Sequence, residues 1–325
     1  MESILVNFIQ NLDLVKQQLK DGQCNREPDK DFQLHTFWLK LEGIVKVLSH
    51  EATKMAISFS QPPLPSTKDC EILIAGIEKA ALGLVSVFYS LPQHFGTCLA
   101  KSTKQAVVNV IEEVHGLVSM IQSLCGKEEK MNLTTTGSVW QACDEVANIP
   151  KDNKQVVLVI IKNNFELVKD ALEEMKEALK DEGGGDMVID EEDDDQDETW
   201  TEDDRALISP CLALVTASKA FLKKSATALS SNGQCDALDY LSQMDTLACY
   251  VEQISPEVDV LVSGLYAPLQ HSVVKTNAVS LAELSKQSLD YFRSTHMCTE
   301  VEVEWVEFLL KAIDHNLAKI DTLVK

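Results

Sequence analysis

Apolar residues along this chain recur at intervals of three and four. The clearest run is Leu34, Trp38, Leu41, Val45, Leu48, Ala52, Met55 and Phe59. That is the period of one helix face, and it predicts a helix over 31–60, ~45 Å long at ~1.5 Å per residue. Leu5, Phe8, Leu12, Val15 and Leu19 predict an earlier helix over 2–21, broken by Gly22 and Pro28. The segment Gln61-Pro62-Pro63-Leu64-Pro65-Ser66 ends the second helix, because proline supplies no N–H to the ladder. Ser66 with Asp69 then forms a start signature: a side-chain oxygen for free amides, and a carboxylate near the positive helix end. A third helix follows with Leu73, Ile77, Ala80, Leu84, Val87 and Leu91, and Pro92 closes it. Cys98, Val107, Val110, Val114, Leu117, Ile121 and Leu124 mark a fourth. Val139, Trp140, Cys143 and Val146 mark a shorter one ahead of Pro150, and 152–180 reads as one long helix.

The pattern then stops. Residues 181–204 hold fourteen Asp and Glu and no Lys or Arg. Like charges at this density repel, with little apolar surface to offset the repulsion, so the tract reads as a solvated, disordered linker. Its densest part is Asp190, Glu191, Glu192, Asp193, Asp194, Asp195, Asp197 and Glu198. Beyond it, Thr201 with Asp204 caps a helix over 202–231, in which Pro210 predicts a kink or a late start. Leu238, Leu241, Met244, Ala248 and Val251 give the next. Ser255-Pro256-Glu257 reads as a cap with proline at the first helical position, so a separate short helix is expected after it. Two more follow, one from Pro268 to about Tyr291 and one carrying Trp305, Leu309, Ile313, Leu317 and Ile320. No segment alternates at period two. The expected fold is all-α: two antiparallel helical bundles, 1–180 and 205–325, joined by the acidic linker, an architecture like that of vinculin and talin rod segments.

Composition narrows the function classes. The formal net charge is −22, of which −14 lies in the acidic tract and −8 elsewhere. An acidic chain without clustered Lys and Arg argues against direct nucleic-acid binding. Nine cysteines are scattered singly, none in a C-x-x-C pair. That is the pattern of reduced thiols inside a cell rather than of a disulfide framework or a structural zinc site. The N-terminus lacks a basic region and a continuous apolar stretch, and no run approaches the roughly 20 apolar residues of a membrane span. The expectation is a soluble protein of cytoplasm or nucleus that does not engage membranes.

Catalytic signatures are broken wherever they begin. His50-Glu51 resembles the start of a zinc-protease helix, but Lys54 stands where the second ligand would be, which leaves a surface pair. Gly183-Gly184-Gly185 lacks the Lys-Ser/Thr of a phosphate loop. Neither a metal site nor a cofactor is expected, and an enzyme is not. The stronger feature is a heptad stripe. Leu158, Phe165, Leu172 and Leu179 recur every seven residues, and Ile161, Val168 and Met175 fill the alternate seam. Such a stripe either packs inside its own bundle or opens to take a partner helix. The residues before it, Lys151-Asp152-Asn153-Lys154, are too few and mixed to grip DNA phosphates, so pairing with a helix-loop-helix factor would yield a dimer lacking half its DNA contacts. Thr201, followed by three acids, is both a helix cap and a candidate phosphorylation site for an acid-directed kinase.

Several long segments together carry a resemblance. They are Gln61-Pro62-Pro63-Leu64-Pro65-Ser66; Ile149-Pro150-Lys151-Asp152-Asn153-Lys154, continuing through Lys162-Asn163, Val168-Lys169-Asp170-Ala171 and Glu173-Glu174-Met175; and Trp200-Thr201-Glu202-Asp203-Asp204 with Pro210-Cys211-Leu212-Ala213-Leu214-Val215 and Ala217-Ser218-Lys219-Ala220. On these the chain resembles the cyclin-D-binding protein family, also called GCIP, Maid or HHM, over nearly its whole length. The linker and the extreme N-terminus depart most. The resemblance implies an all-helical protein without enzymatic activity that binds D-type cyclins and helix-loop-helix transcription factors. It implies negative regulation of cell-cycle progression and transcription, in nucleus and cytoplasm. The family's leucine zipper and acidic region would correspond to 158–179 and 181–204. A reading from a different class is a vinculin-like cytoskeletal or adhesion scaffold whose bundles open to expose a helix.

Overall fold

A computed structural model describes residues 1–22, 32–61, 63–125, 134–181 and 199–324. The acidic residues Asp190, Glu191, Glu192, Asp193, Asp194, Asp195, Asp197 and Glu198, and with them the linker expected there, lie outside the described residues. Among the described residues all regular structure is helical, as the three-and-four spacing predicts, and no strand is present. The chain divides into two compact units, Met1–Val156 and Val157–Lys325.

The first unit is built from α1 (Glu2–Asp21), α2 (Leu34–Ser60), α3 (Thr67–Phe88), α4 (Thr97–Leu124) and α5 (Thr134–Asn148). Leu5, Phe8, Leu12 and Leu19 of α1 are buried, each contributing about 1.5–3 kcal/mol by leaving water. α2 packs on α3 and α5, and α4 on α1 and α5. The α2–α3 turn ends as its residues dictate. The Ser66 hydroxyl accepts from the Asp69 amide at 3.2 Å, and the Asp69 carboxylate accepts from the Ser66 amide at 3.2 Å, so two free amides at the start of α3 are satisfied. A short 3-10 turn, Gln93–Phe95, leads into α4 through Gly96 at φ 111°. Only glycine fits there. The backbone is left-handed, and an added Cβ would fall 2.1 Å from the Asn153 side chain. The buried Asn153 uses that closeness: its Oδ1 accepts from the Leu99 amide at 2.9 Å, a free donor in the first turn of α4. Nearby the Trp38 indole donates to the Lys151 carbonyl at 2.9 Å, and Lys151 pairs with Glu42 at 2.9 Å.

The second unit holds most of α6 (Asn153–Asp181) together with α7 (Glu202–Asn232), α8 (Leu238–Ser263), α9 (His271–Arg293) and α10 (Glu300–Leu323). α10 packs on α7 and α9, α8 on α9, and α7 also touches α8 and α9. A Phe221–Phe292 edge contact and a Ser218–Ser285 hydroxyl pair at 3.0 Å lie in its core.

Packing divides the chain after Val156, inside α6, whereas the sequence suggests units 1–180 and 205–325 on either side of the acidic tract. Two expectations change. Pro256 does not begin a new helix; α8 runs through it, because the buried Ser255 hydroxyl donates to Asn164 Oδ1 at 2.9 Å instead of capping. Pro210 likewise lies inside a continuous α7, with no late start. In addition, α7 is long and apolar enough by composition to cross a membrane, which the sequence reading overlooked; 61% of that stretch is buried within the fold.

Candidate functional site

The heptad stripe of α6 is divided along its length. Ile161, Val168, Leu172 and Met175 are buried, whereas Leu158, Phe165 and Leu179 are half-exposed. The cause is geometric. A stripe two positions wide spans more of the helix surface than one neighbour covers, so the seam of Ile161, Val168 and Met175 meets the core, and of the other seam Leu172 is covered while Leu158, Phe165 and Leu179 stand at the margin. Two polar contacts fix that rotation. Asn164, itself buried, accepts from Ser255 of α8 and donates to the Ile160 carbonyl at 3.0 Å. The Tyr266 hydroxyl donates to Glu174 Oε1 at 3.3 Å.

The outer margin of α6 faces α7 across an open groove of about 490 Å³. Phe165, Leu172 and Ala220 supply its apolar lining. Lys169 and Lys176 come from α6, and Lys219 and Lys223 from α7. Lys169 pairs with Glu166 at 3.0 Å, while Lys219 Nζ stands 5.8 Å from the centre of the Phe165 ring, within range of the ring's negative face. Sequence reasoning named the α6 stripe but missed these lysines. On α6 a signal was there to be seen, since Lys162, Lys169 and Lys176 repeat every seven residues, one position after Ile161, Val168 and Met175. Lys219 and Lys223 carry no local signal that they face that line.

The N-terminus of α7 forms a second constellation. The Thr201 hydroxyl accepts from the Asp204 amide at 3.1 Å and donates to Asp204 Oδ2 at 2.7 Å, which completes a reciprocal cap. His271 Nε2 lies 2.6 Å from the other Asp204 oxygen. Burial pushes the Asp204 carboxyl up, but the hydrogen bonds from His271 and Thr201 prevail and hold it below the usual carboxylate range. Trp200 is buried and donates to the Leu265 carbonyl at 2.7 Å. Thr201 itself is exposed.

Other candidate chemistry settles into structure. Glu51 pairs with Lys54 at 2.5 Å, which accounts for the broken protease-like start as a surface ion pair. Burial pushes the Cys143 and Cys211 thiols up to about 12, which keeps them protonated at neutral pH. Among the described residues, no group of three or more His, Cys, Asp and Glu is arranged to hold a metal ion.

Comparison with known proteins places these features in a family. The family model described as Grap2 and cyclin-D-interacting, N-terminal, matches residues 40–181, and its C-terminal counterpart matches residues 184–290. The two models meet at the acidic tract, whereas packing divides the chain at Val156. The chain is 39% identical to Cyclin-D1-binding protein 1 homolog of Xenopus laevis, over 98% of each chain. It is 40% identical to the Danio rerio homolog, over 99% of this chain and 95% of that one. It is 32% identical to Cyclin-D1-binding protein 1 of Homo sapiens, over 99% and 93%.

Proposed function

The chain belongs to the Grap2 and cyclin-D-interacting family, and on that ground we propose that it is a non-enzymatic interaction protein that binds a D-type cyclin and restrains cell-cycle progression. The observation that carries this reading is the near end-to-end match to relatives named for binding cyclin D1. Helix-loop-helix transcription factors are a second class of partner, held through the half-exposed seam of α6 and so kept from DNA. Leu158, Phe165 and Leu179 are the contacting residues. Ile161, Val168, Leu172 and Met175 hold the seam in place from the buried side. The protein acts in cytoplasm and nucleus, where both partner classes work.

Phosphorylation of Thr201 would tune this activity. The exposed hydroxyl precedes three acids, as an acid-directed kinase requires. A phosphate there removes the hydroxyl proton now given to Asp204 and sets new negative charge beside that carboxylate.

The test is calorimetric titration of the purified full chain with a D-type cyclin, and separately with the helix-loop-helix region of a transcription factor. Saturable binding at micromolar concentration or tighter is expected for the cyclin. No binding by the cyclin, together with co-sedimentation with actin filaments, would replace this reading with that of a cytoskeletal scaffold.

A further inference from the structure

The α6–α7 groove concentrates positive charge on a strongly acidic chain. Lys and Arg number 29 against 51 Asp and Glu, yet four lysines from two helices meet at one apolar groove. Among the described residues, Lys176, Lys219 and Lys223 stand without a carboxylate at ion-pair distance, and Glu166 is the acid among the lining. The lysines of α6 also follow a rule. With Leu158, Phe165, Leu172 and Leu179 as one seam of the heptad and Ile161, Val168 and Met175 as the other, Lys162, Lys169 and Lys176 all take the position next to the second seam. In paired helices that flanking position selects the partner by charge. Lys219 and Lys223, one turn apart on α7, form the opposite bank.

We propose that this groove is a docking site for an amphipathic helix of a partner protein, apolar toward Phe165, Leu172 and Ala220 and bearing Asp or Glu along both of its flanks. The inference rests on the reading that the chain works through helical surfaces, but it does not depend on which partner is a cyclin. Charge complementarity and shape select this occupant. A small anion would gain nothing from the apolar lining. An anionic membrane would meet a concave groove set in a chain whose remaining charge repels it. A third helix lies naturally between two others, with its side chains between theirs. The lining residues of α6 run from Phe165 to Lys176, ~16 Å at ~1.5 Å per residue, enough for about three turns of the incoming helix. Acids on its flanks would be matched by lysines on both banks, so the same surface would reject a basic helix.

The experiment uses the full chain and two labelled peptides of about three heptads, both with leucine at the seam positions, one flanked by Glu and the other by Lys. Fluorescence anisotropy should show saturable binding of the Glu-flanked peptide, weakening as salt rises. The double variant Lys219→Glu/Lys223→Glu, checked for an unchanged melting temperature, should lose at least about tenfold in affinity for it and gain affinity for the Lys-flanked peptide. Lys176→Glu should act in the same direction from the other bank. Failure of the Glu-flanked peptide to bind, equal binding of both peptides, or indifference to the lysine reversals would overturn the inference. Lysine-dependent sedimentation with phosphatidylserine vesicles would assign the groove to a membrane instead, and lysine-dependent self-association in ultracentrifugation would assign it to a second copy. A D-type cyclin titrated alongside separates the two readings: cyclin binding without peptide binding sinks the groove and leaves the proposed function standing.

Discussion

Two helices of nearly equal length, α4 with 28 residues and α6 with 29, put similar apolar periodicity to different uses. In α4 the stripe is closed: Leu99, Val107, Val110, Ile111, Val114, Leu117, Val118 and Ile121 are all buried. In α6 the seam of Ile161, Val168 and Met175 is closed, the other is covered only at Leu172, and lysines line the open margin. Periodicity therefore reports that a helix has an apolar face, and the residues bordering that face report whether it is finished. A face bordered by like charges on two neighbouring helices remains available for something of opposite charge.

The sharpest way to break this contrast is to charge a buried position of the α6 stripe. Leu172 is 2% exposed. Leu172→Ala should cost about 2–5 kcal/mol, and Leu172→Asp more, because an unpaired carboxylate would be stranded in the core. Thermal unfolding of each variant checks this; an unchanged melting temperature for Leu172→Asp would mean that Leu172 is not buried in the fold. Next is the polar contact that sets the rotation of α6. Ser255→Ala leaves the buried Asn164 carbonyl without its donor and should cost roughly 1–3 kcal/mol, whereas a purely exposed serine would cost nothing measurable.

Much of this was legible in the chain and some was not. The stripe of α1 and the caps at Ser66 and Thr201 follow from local spacing and chemistry, because each involves residues a few positions apart. Ser255-Pro256 misled for a physical reason. The serine hydroxyl had a better partner in Asn164, 91 residues away, and no local rule weighs a distant acceptor against a nearby amide. The division after Val156 was hidden similarly, since an unbroken helix carries no mark of the side chains it will pack against. The groove was half visible: the heptad spacing of Lys162, Lys169 and Lys176 is in the sequence, but its meeting with Lys219 and Lys223 arises only when α6 and α7 pack.

Smaller effects sharpen the picture at the start of α7. Thr201→Ala should cost about 0.5–2 kcal/mol through loss of the cap. Asp204 adds a pH dependence whose sign is fixed. Its pKa is lowered in the folded state, so its contribution is complete above the unfolded value of 3.8 and is lost as pH falls through the lower folded value. Asp204→Asn should flatten that acid limb in equilibrium unfolding, and a variant with an unaltered acid limb would show that the His271 and Thr201 contacts do not form in solution. The smallest change in stability is expected on the open seam, where Phe165→Asp, unlike Leu172→Asp, puts its charge at a half-exposed margin beside Lys219.

That last variant carries the decisive measurement. The full chain and its Phe165→Asp form are titrated with the helix-loop-helix region of a transcription factor after their melting temperatures are compared. The melting temperature should stay close to that of the parent while affinity for that region falls by an order of magnitude or more. A variant that melts normally and binds it as tightly as the parent would contradict the proposal that the open margin of α6 holds a partner helix.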